Sequence, residues 1–452
     1  MSGAEGLAAR QRAYFLTGAT LPFEKRRGDL ERLGDAVRTH EDMLLAALRA
    51  DLHKTSAEGY MTEVGMVLEE LKFARRHLRG WMRPRRAPAP LAQFPARSFA
   101  VPEPYGAALI LAPWNYPVQL CLAPLIGALA AGCTVTLKPS AYAPASSRAV
   151  RDLLAPLFPP EQVCVVEGGR AENAALLEQK WDYIFFTGSS AVGRVVLEKA
   201  AAHLTPCSLE LGGKSPCLVT DTADIALAAR RIAFGKLLNA GQTCVAPDYV
   251  LADARVRPAF LQAYAEAVRA LYPTWEQLPH IVNDKHFERL CGLLAGEHDL
   301  LGGPRDPASR LLPPSLLDQA TWDSPVMGEE IFGPILPVLG YDDLEETLAR
   351  LRTLPKPLAF YLFTRDRALA RRVLETVPFG GGCVNDTIVH LATSRLPFGG
   401  VGESGMGGYH GKSSFDTFTH AKTVLARGAL DLPMRYPPFT DRKLGLIRRF
   451  LG

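Results

Sequence analysis

A chain of 452 residues, 48% hydrophobic and 22% charged, is long enough for two or three domains around a large core. Its net charge of +4, from 51 basic and 47 acidic residues, excludes the strongly basic surface that a nucleic-acid partner needs. Eight cysteines with no CxxC pair and no metal-ligand spacing exclude a disulfide framework and a zinc site; with an opening MSGAEGLAARQRAYF that lacks the apolar run of a signal peptide, a metal-free cytoplasmic protein is expected.

Residues 5–80 place apolar and charged positions at helical spacing, as in ERLGDAVRTHEDMLLAALRADL, and predict amphipathic helices. The basic, proline-rich stretch 82–98 cannot be helical and reads as an extended connector. From 106 to 205, short apolar strands (AALILAP, CTVTLKPS, QVCVVEGG, YIFFTG) alternate with helices, the pattern of a parallel sheet covered on both faces. No charge occurs from Pro104 to Leu137. The run is broken by Pro113, Pro117, Pro124, Gly127 and Gly132, so it predicts a buried helix leading into a buried strand rather than a membrane span. A second strand-and-helix region begins near 208 with SLELGG and PCLVTD and continues through ILPVLGY, LAFYLFT and GGCVND. The end of the chain, TDRKLGLIRRFLG, combines Leu444, Ile447 and Leu451 with Arg442, Lys443, Arg448 and Arg449. It predicts a short basic amphipathic helix, either a packing helix or one that touches a membrane surface or caps a channel.

Two glycine patterns compete as nucleotide sites. GVGESG, with Gly400, Gly402 and Gly405, matches G-x-G-x-x-G by letter, but neither an apolar strand precedes it nor a helix follows. In YIFFTGSSAVGRVVLEKA a strand ends at Thr187, Gly188 and Gly193 bracket a turn around Ser189, and a helix follows. Backbone N–H groups and a helix N-terminus would there meet a pyrophosphate; a plain strand-to-helix turn is the alternative.

The stretch LNAGQTCVAP, 238–247, sets Cys244 among Asn, Gly, Gln and Thr instead of core residues, as if the thiol is meant to be reached. Acyl chemistry on a thiol needs a base and an oxyanion donor. Glu210 in LELGGK, before an apolar strand, is a candidate base. Asn115 in APWNYP, just after an apolar strand, is a candidate donor. Alone, each is equally a solvated charge or a turn former.

Taken in order, APWNYP, TLKPS, FTGSSAVG, LELGGK, NAGQTC, EEIFGP and LPFGGVGESGMGGYHG resemble the motif set of the aldehyde dehydrogenase superfamily, and the length and short N-terminus look most like its class 3 branch of fatty and aromatic aldehyde dehydrogenases. The resemblance covers about residues 30–425 and implies an α/β fold. It has a Rossmann-like cofactor domain (1–81 and 104–207), an α/β catalytic domain (208–395), a small bridging β-sheet (82–103 and 396–425) that pairs two subunits into a homodimer, and a C-terminal tail (426–452). It implies NAD(P)-dependent oxidation of a small-molecule aldehyde to a carboxylate. Cys244 would be the nucleophile, Asn115 and the Cys244 N–H the oxyanion donors, and Glu210 the water-activating base. Lys138 would reach the adenosine ribose, Gly188, Ser189 and Gly193 the pyrophosphate, and Glu330 and Phe332 the nicotinamide half. Many NAD-preferring relatives carry Glu three residues after this lysine; here Ala141 stands there, so NADP is expected to serve as well as NAD. A CoA-acylating relative and a non-catalytic scaffold are the alternatives. Glu210 argues against the first, and the joint presence of Cys244, Glu210 and Asn115 against the second. Cys121, Cys133, Cys164, Cys217 and Cys383 read as small hydrophobes in apolar runs, and Cys207 and Cys291 have no recognisable helper.

Overall fold

A computed structural model describes residues 6–90, 93–430 and 433–451. The N-terminal helices are Leu7–Leu16, Phe23–Thr39, Glu41–Leu52, Ser56–Gly59 and Gly65–Trp81, with one π-helical turn, Tyr60–Val64, set between the last two. The charge-free run becomes helix Gln119–Ala131, every residue of it buried, followed by strand Thr134–Lys138. Gly132, at φ 93°, ends the helix in the left-handed conformation that glycine adopts without cost. No helix among the described residues is long and apolar enough to cross a membrane.

Strands Ala107–Leu111, Thr134–Lys138, Val163–Val165, Tyr183–Thr187 and Cys207–Glu210 form a parallel sheet. In chain order they lie 3-2-1-4-5, the doubly wound arrangement. The order reverses between Ala107–Leu111 and Tyr183–Thr187, and a crevice opens beyond their carboxyl ends. Asn115 and Gly188 follow strands of this sheet and Lys138 ends one, so motifs far apart in sequence are placed on the same side of it. A second sheet of six parallel strands has the order Ser315–Leu317, Ile335–Tyr341, Tyr249–Asp253, Pro216–Val219, Ala359–Phe363, Gly381–Val384. Strands such as Tyr249–Asp253 and Ala359–Phe363 are buried at every residue, as a sheet covered on both faces requires.

The connector forms strands Arg85–Ala87 and Ala96–Pro104, which make a three-stranded antiparallel sheet with Thr419–Arg427. Only part of 396–425 belongs to this sheet. Gly405–Met406 adds an antiparallel edge to the first sheet, Gly405 opposite Glu210 and Met406 opposite Leu209. The glycines of 399–405 allow this: a Cβ at Gly405 would fall 2.1 Å from the Leu209 carbonyl. GVGESG is thus a turn that delivers an edge strand. The tail forms helix Asp441–Leu451, with Arg442, Lys443, Arg448 and Arg449 on it.

Candidate active site

Helix Ile225–Leu237 ends in a tight turn, and Asn239, Ala240 and Gly241 follow one another in the left-handed region, at φ 54°, 52° and 74°. Two of the three carry a Cβ, so the turn is strained and its surroundings must hold it. A Cβ on Gly241 would lie 2.2 Å from the Gly333 carbonyl, so only glycine fits. The turn is held on several sides. Asn239 N donates to Glu58 Oε1 at 2.7 Å, and Asn239 Nδ2 donates to the carbonyls of Asn115 (2.8 Å) and Gln242 (3.0 Å). Gln242 Nε2 donates to the His280 carbonyl at 3.0 Å, while its Oε1 accepts from Val282 N at 3.0 Å.

This turn delivers Cys244 to the inner end of a cavity of about 160 Å³ lined by Met61, Leu120, Phe234, Leu238, Phe398 and Tyr409 among others. Burial pushes the Cys244 thiol up to about 12, with the carboxylates of Glu330 and Glu210 adding to the rise and the N–H groups of Cys244 and Val245 opposing it. Backbone dipoles that favour a thiolate are therefore present, but in the protein alone they are outweighed and the sulfur is a thiol.

Asn115 is 4% exposed and joins this turn directly: its Nδ2 donates to the Gln242 carbonyl at 3.0 Å. A primary amide carries two hydrogens, so one remains for an oxyanion. Glu210 ends strand Cys207–Glu210 and is 3% exposed, and both its carboxylate oxygens are buried without a partner. Burial pushes its pKa well above the ordinary carboxylate range. Its register neighbour Thr187 also has a buried, unpartnered hydroxyl.

The remaining predicted residues line the crevice of the first sheet and its far wall. Lys138 is 3% exposed, and its Nζ donates to the carbonyls of Pro139 (2.7 Å) and Gly168 (2.5 Å), leaving a third hydrogen. Burial lowers its pKa. Ser189 caps helix Ser190–Ala201, its side chain accepting from Val192 N, and Gly188 N donates to the Glu210 carbonyl at 3.0 Å. Gly193 lets that helix approach the sheet, since a Cβ there would meet Leu211 at 2.7 Å. Glu330 packs over Gly212, and burial beside Asp248 raises its pKa to about 8. Phe332 (φ 52°) sets its ring 5.4 Å from Trp114. The N-terminus of helix Ser190–Ala201 and the Lys138 ammonium both stand at the carboxyl ends of strands of the doubly wound sheet. That donor set suits a phosphate-bearing dinucleotide with a polar ring beyond it.

Several residues of the site had no sequence signal. Trp114 lies 5.3 Å from His286, which lies 6.4 Å from Tyr142, so three rings extend the crevice wall. Tyr116 shares a hydrogen with Thr243 Oγ1 at 2.5 Å. Lys54, Glu58 and Glu63 underlie the site, each under 8% exposed. Cys383, expected to be a plain hydrophobe, has its sulfur 3.6 Å from His390 Nδ1 and is only half-buried. No cluster of three metal-ligating side chains occurs among the described residues.

Comparison with known proteins agrees with this geometry. The model of the "Aldehyde dehydrogenase family" matches residues 5–424. The chain is 45% identical to the 4,4'-diaponeurosporen-aldehyde dehydrogenase of Staphylococcus aureus over 438 residues, 95% of each chain. It is 44% identical to human aldehyde dehydrogenase family 3 member B1 over 449 residues, 97% of this chain and 95% of that one. A solved structure of the substrate-bound state of Staphylococcus aureus AldH superposes with a TM-score of 0.98 at 43% identity, covering 100% of both chains. An indole-3-acetaldehyde dehydrogenase solved with NAD+ shares the fold, at TM-score 0.86 and 23% identity. With the family model matched over residues 5–424 and these relatives matched along almost the whole chain, the protein belongs to the aldehyde dehydrogenase family.

Proposed function

We propose that the chain oxidises apolar aldehydes to carboxylates with NAD or NADP, using Cys244 as nucleophile, Asn115 and the Cys244 N–H as oxyanion donors, and Glu210 as the base that activates water. The observation that carries the base role is the pair of buried, unpartnered Glu210 oxygens, which in ionised form would raise the pKa of the Cys244 thiol. A buried carboxylate left without hydrogen bonds is costly to keep and marks a functional group.

In this reading the Cys244 sulfur, once deprotonated, attacks the aldehyde carbon and forms a thiohemiacetal, whose oxygen takes hydrogen bonds from Asn115 Nδ2 and the Cys244 N–H. The nicotinamide cofactor supplies the acceptor for the hydride leaving that carbon. Glu210 then takes a proton from water, which adds to the thioester carbon and releases the acid and the Cys244 thiol. Lys138 would hold the adenosine ribose, Gly188, Ser189 and Gly193 the pyrophosphate, and Glu330 and Phe332 the nicotinamide half. Ala141 offers no carboxylate to repel a 2′-phosphate, so NADP is taken alongside NAD.

Support for an apolar substrate comes from the walls of the cavity and from its rim, where Met61 is 49% exposed and Val389 48%. The name of the Staphylococcus aureus relative points the same way. Stoichiometric NADH or NADPH formation from an aldehyde panel without CoA tests the assignment. A strict requirement for CoA would overturn hydrolysis by Glu210, and inertness towards every aldehyde would leave the scaffold reading.

The finer assignments of setting belong to the same proposal. A homodimer forms through the bridging sheet, whose strand Arg85–Ala87 is exposed at all three residues and leaves an edge open for pairing. Sedimentation at micromolar concentration checks it. The cytoplasm suits eight free cysteines. The helix Asp441–Leu451, which bonds Tyr436 and Thr440 nearby, is read first as a packing helix, with contact to a membrane surface or a cap on the aldehyde cavity as the functional alternative. Deleting residues 441–452 and comparing a long with a short aldehyde separates these.

A further inference from the structure

Beneath the oxyanion donor lies a cluster of charges that the chemistry above does not use. Lys54 and Glu63 have side chains 0% exposed, with Lys54 Nζ 2.6 Å from Glu63 Oε1. Lys54 Nζ also donates to the Asn115 carbonyl at 3.1 Å and stands 4.0 Å from the centre of the Tyr116 ring. The second oxygen of Glu63 accepts from Val118 N (2.8 Å) and Gln119 N (3.2 Å), at the start of helix Gln119–Ala131. Glu58, one turn earlier, accepts the Asn239 N–H of the strained turn. Glu63 sits in the π-helical turn Tyr60–Val64, a local departure common at functional positions.

A buried ion pair is a weak source of stability, because desolvation cancels most of its attraction. This one instead connects what must be kept in register. Asn115 is held at its carbonyl by Lys54 and Asn239 and at its amide by Gln242 O, while the residues on either side of the nucleophile loop are tied to Glu58 and Tyr116. The cluster thus bonds Asn115 itself through Lys54 and the turn that precedes Cys244 through Glu58.

We infer that Lys54, Glu63 and Glu58 are positioning residues, a charged brace that sets the Asn115 amide and the Cys244 loop at the spacing the oxyanion requires. The inference rests on Asn115 being the oxyanion donor. A misplacement of about 1 Å at a reacting centre can cost about 10²-fold in rate. Loss of the brace should thus appear in the rate of hydride formation and leave cofactor binding alone, since the brace does not touch the Lys138 crevice.

The test is a double-mutant cycle on the holoenzyme, read as single-turnover NADH or NADPH formation, with cofactor Kd measured by fluorescence. Lys54→Met alone would strand the buried Glu63 carboxylate and destabilise the chain, so the neutral pair Lys54→Met with Glu63→Gln is the principal variant. In the wild-type background it is expected to slow hydride formation about 10- to 10²-fold with Kd unchanged. On an Asn115→Ala background the same pair should cost less than about threefold, because the donor it positions is gone. Glu58→Gln, which keeps an acceptor for Asn239 N–H, should recover most of the rate that Glu58→Leu loses. Penalties that multiply independently of Asn115→Ala would overturn the brace while leaving Asn115 as donor. So would melting temperatures that fall with the rate per folded molecule unchanged. A full rate in Asn115→Ala itself would instead remove the donor assignment on which the brace rests.

Discussion

Glu63 and Glu210 are both buried, at 0% and 3% exposure, yet their surroundings are opposite. Glu63 meets an ammonium with one oxygen and two backbone N–H groups with the other. Glu210 meets nothing with either. A carboxylate whose lone pairs are all satisfied acts as scaffold; one left bare is kept in a costly state for a reaction partner to relieve. The difference also divides the molecule: the N-terminal helical segment supplies fixed charge, and the sheet ends supply reactive charge.

The contrast breaks most completely at the nucleophile. Cys244→Ala should abolish NADH and NADPH formation from any aldehyde while the circular-dichroism melt stays within a few degrees of wild type, because no other cysteine lies on the substrate cavity. Residual turnover would return the role to another thiol.

Glu210→Gln is the direct trial of the bare carboxylate. Steady-state acid release should fall about 10²- to 10⁴-fold, with hydride formation retained in the first turnover. Stability should move the other way. Folding raises the Glu210 pKa, so above the ordinary carboxylate value the unfolded chain gives up a proton that the folded chain keeps, and stability falls as pH rises. Glutamine has no such loss. Relative to wild type, the variant should therefore gain stability as pH rises from about 4 to 8. Equal melts at both pH values would contradict a buried, unpartnered Glu210.

Asn115→Ala should lower kcat about 10²- to 10³-fold with cofactor affinity unchanged; a loss confined to cofactor binding would sink the donor role. At the outer end of the crevice, Ala141→Glu should move the ratio of kcat/KM for NADP over NAD about tenfold towards NAD, through repulsion of a 2′-phosphate beside Lys138. An indifferent ratio would place discrimination elsewhere. The smallest effect is expected at Glu330→Gln. Its carboxylate opposes a thiolate on Cys244, so its removal should shift iodoacetamide alkylation of Cys244 to lower pH in the cofactor-free protein.

The residues proposed as the reactive half could be picked out from the chain as candidates, because they sit beside turns of glycine, proline and polar residues that no core would choose. Cys244, Glu210 and Asn115 stood out this way, and the charge-free run at 104–137 was readable as a buried helix and strand. The scaffold half was hidden. Lys54, Glu58 and Glu63 lie in a helical segment where a charge every few residues predicts a solvated face, and burial of a lysine and two glutamates is the least expected outcome there. The protonation of Cys244 was hidden for a different reason. It depends first on burial of the sulfur in the folded chain and then on two carboxylates brought from other strands and loops, and sequence shows only the neighbouring N–H groups that pull the other way. The edge strand at 405–406 was hidden by its shortness: two residues carry no alternation to read.

That edge strand has a consequence for biosynthesis. Glu210 is paired across the sheet with Gly405, Leu211 N donates to Ser404 O at 3.0 Å, and Gly399 packs so closely that a Cβ there would lie 3.2 Å from Glu210 Oε1. A ribosome adding 5–20 residues per second needs roughly ten to forty seconds to travel from the first partner to the second. During that interval the nascent chain already carries its thiol, its amide and its carboxylate, but the wall behind the carboxylate has not been made. If Cys244, Asn115 and Glu210 act as proposed, translation that stalls before residue 399 is expected to leave a fragment that carries these groups without the wall behind Glu210, and turnover is expected only once almost all of the chain has been synthesised.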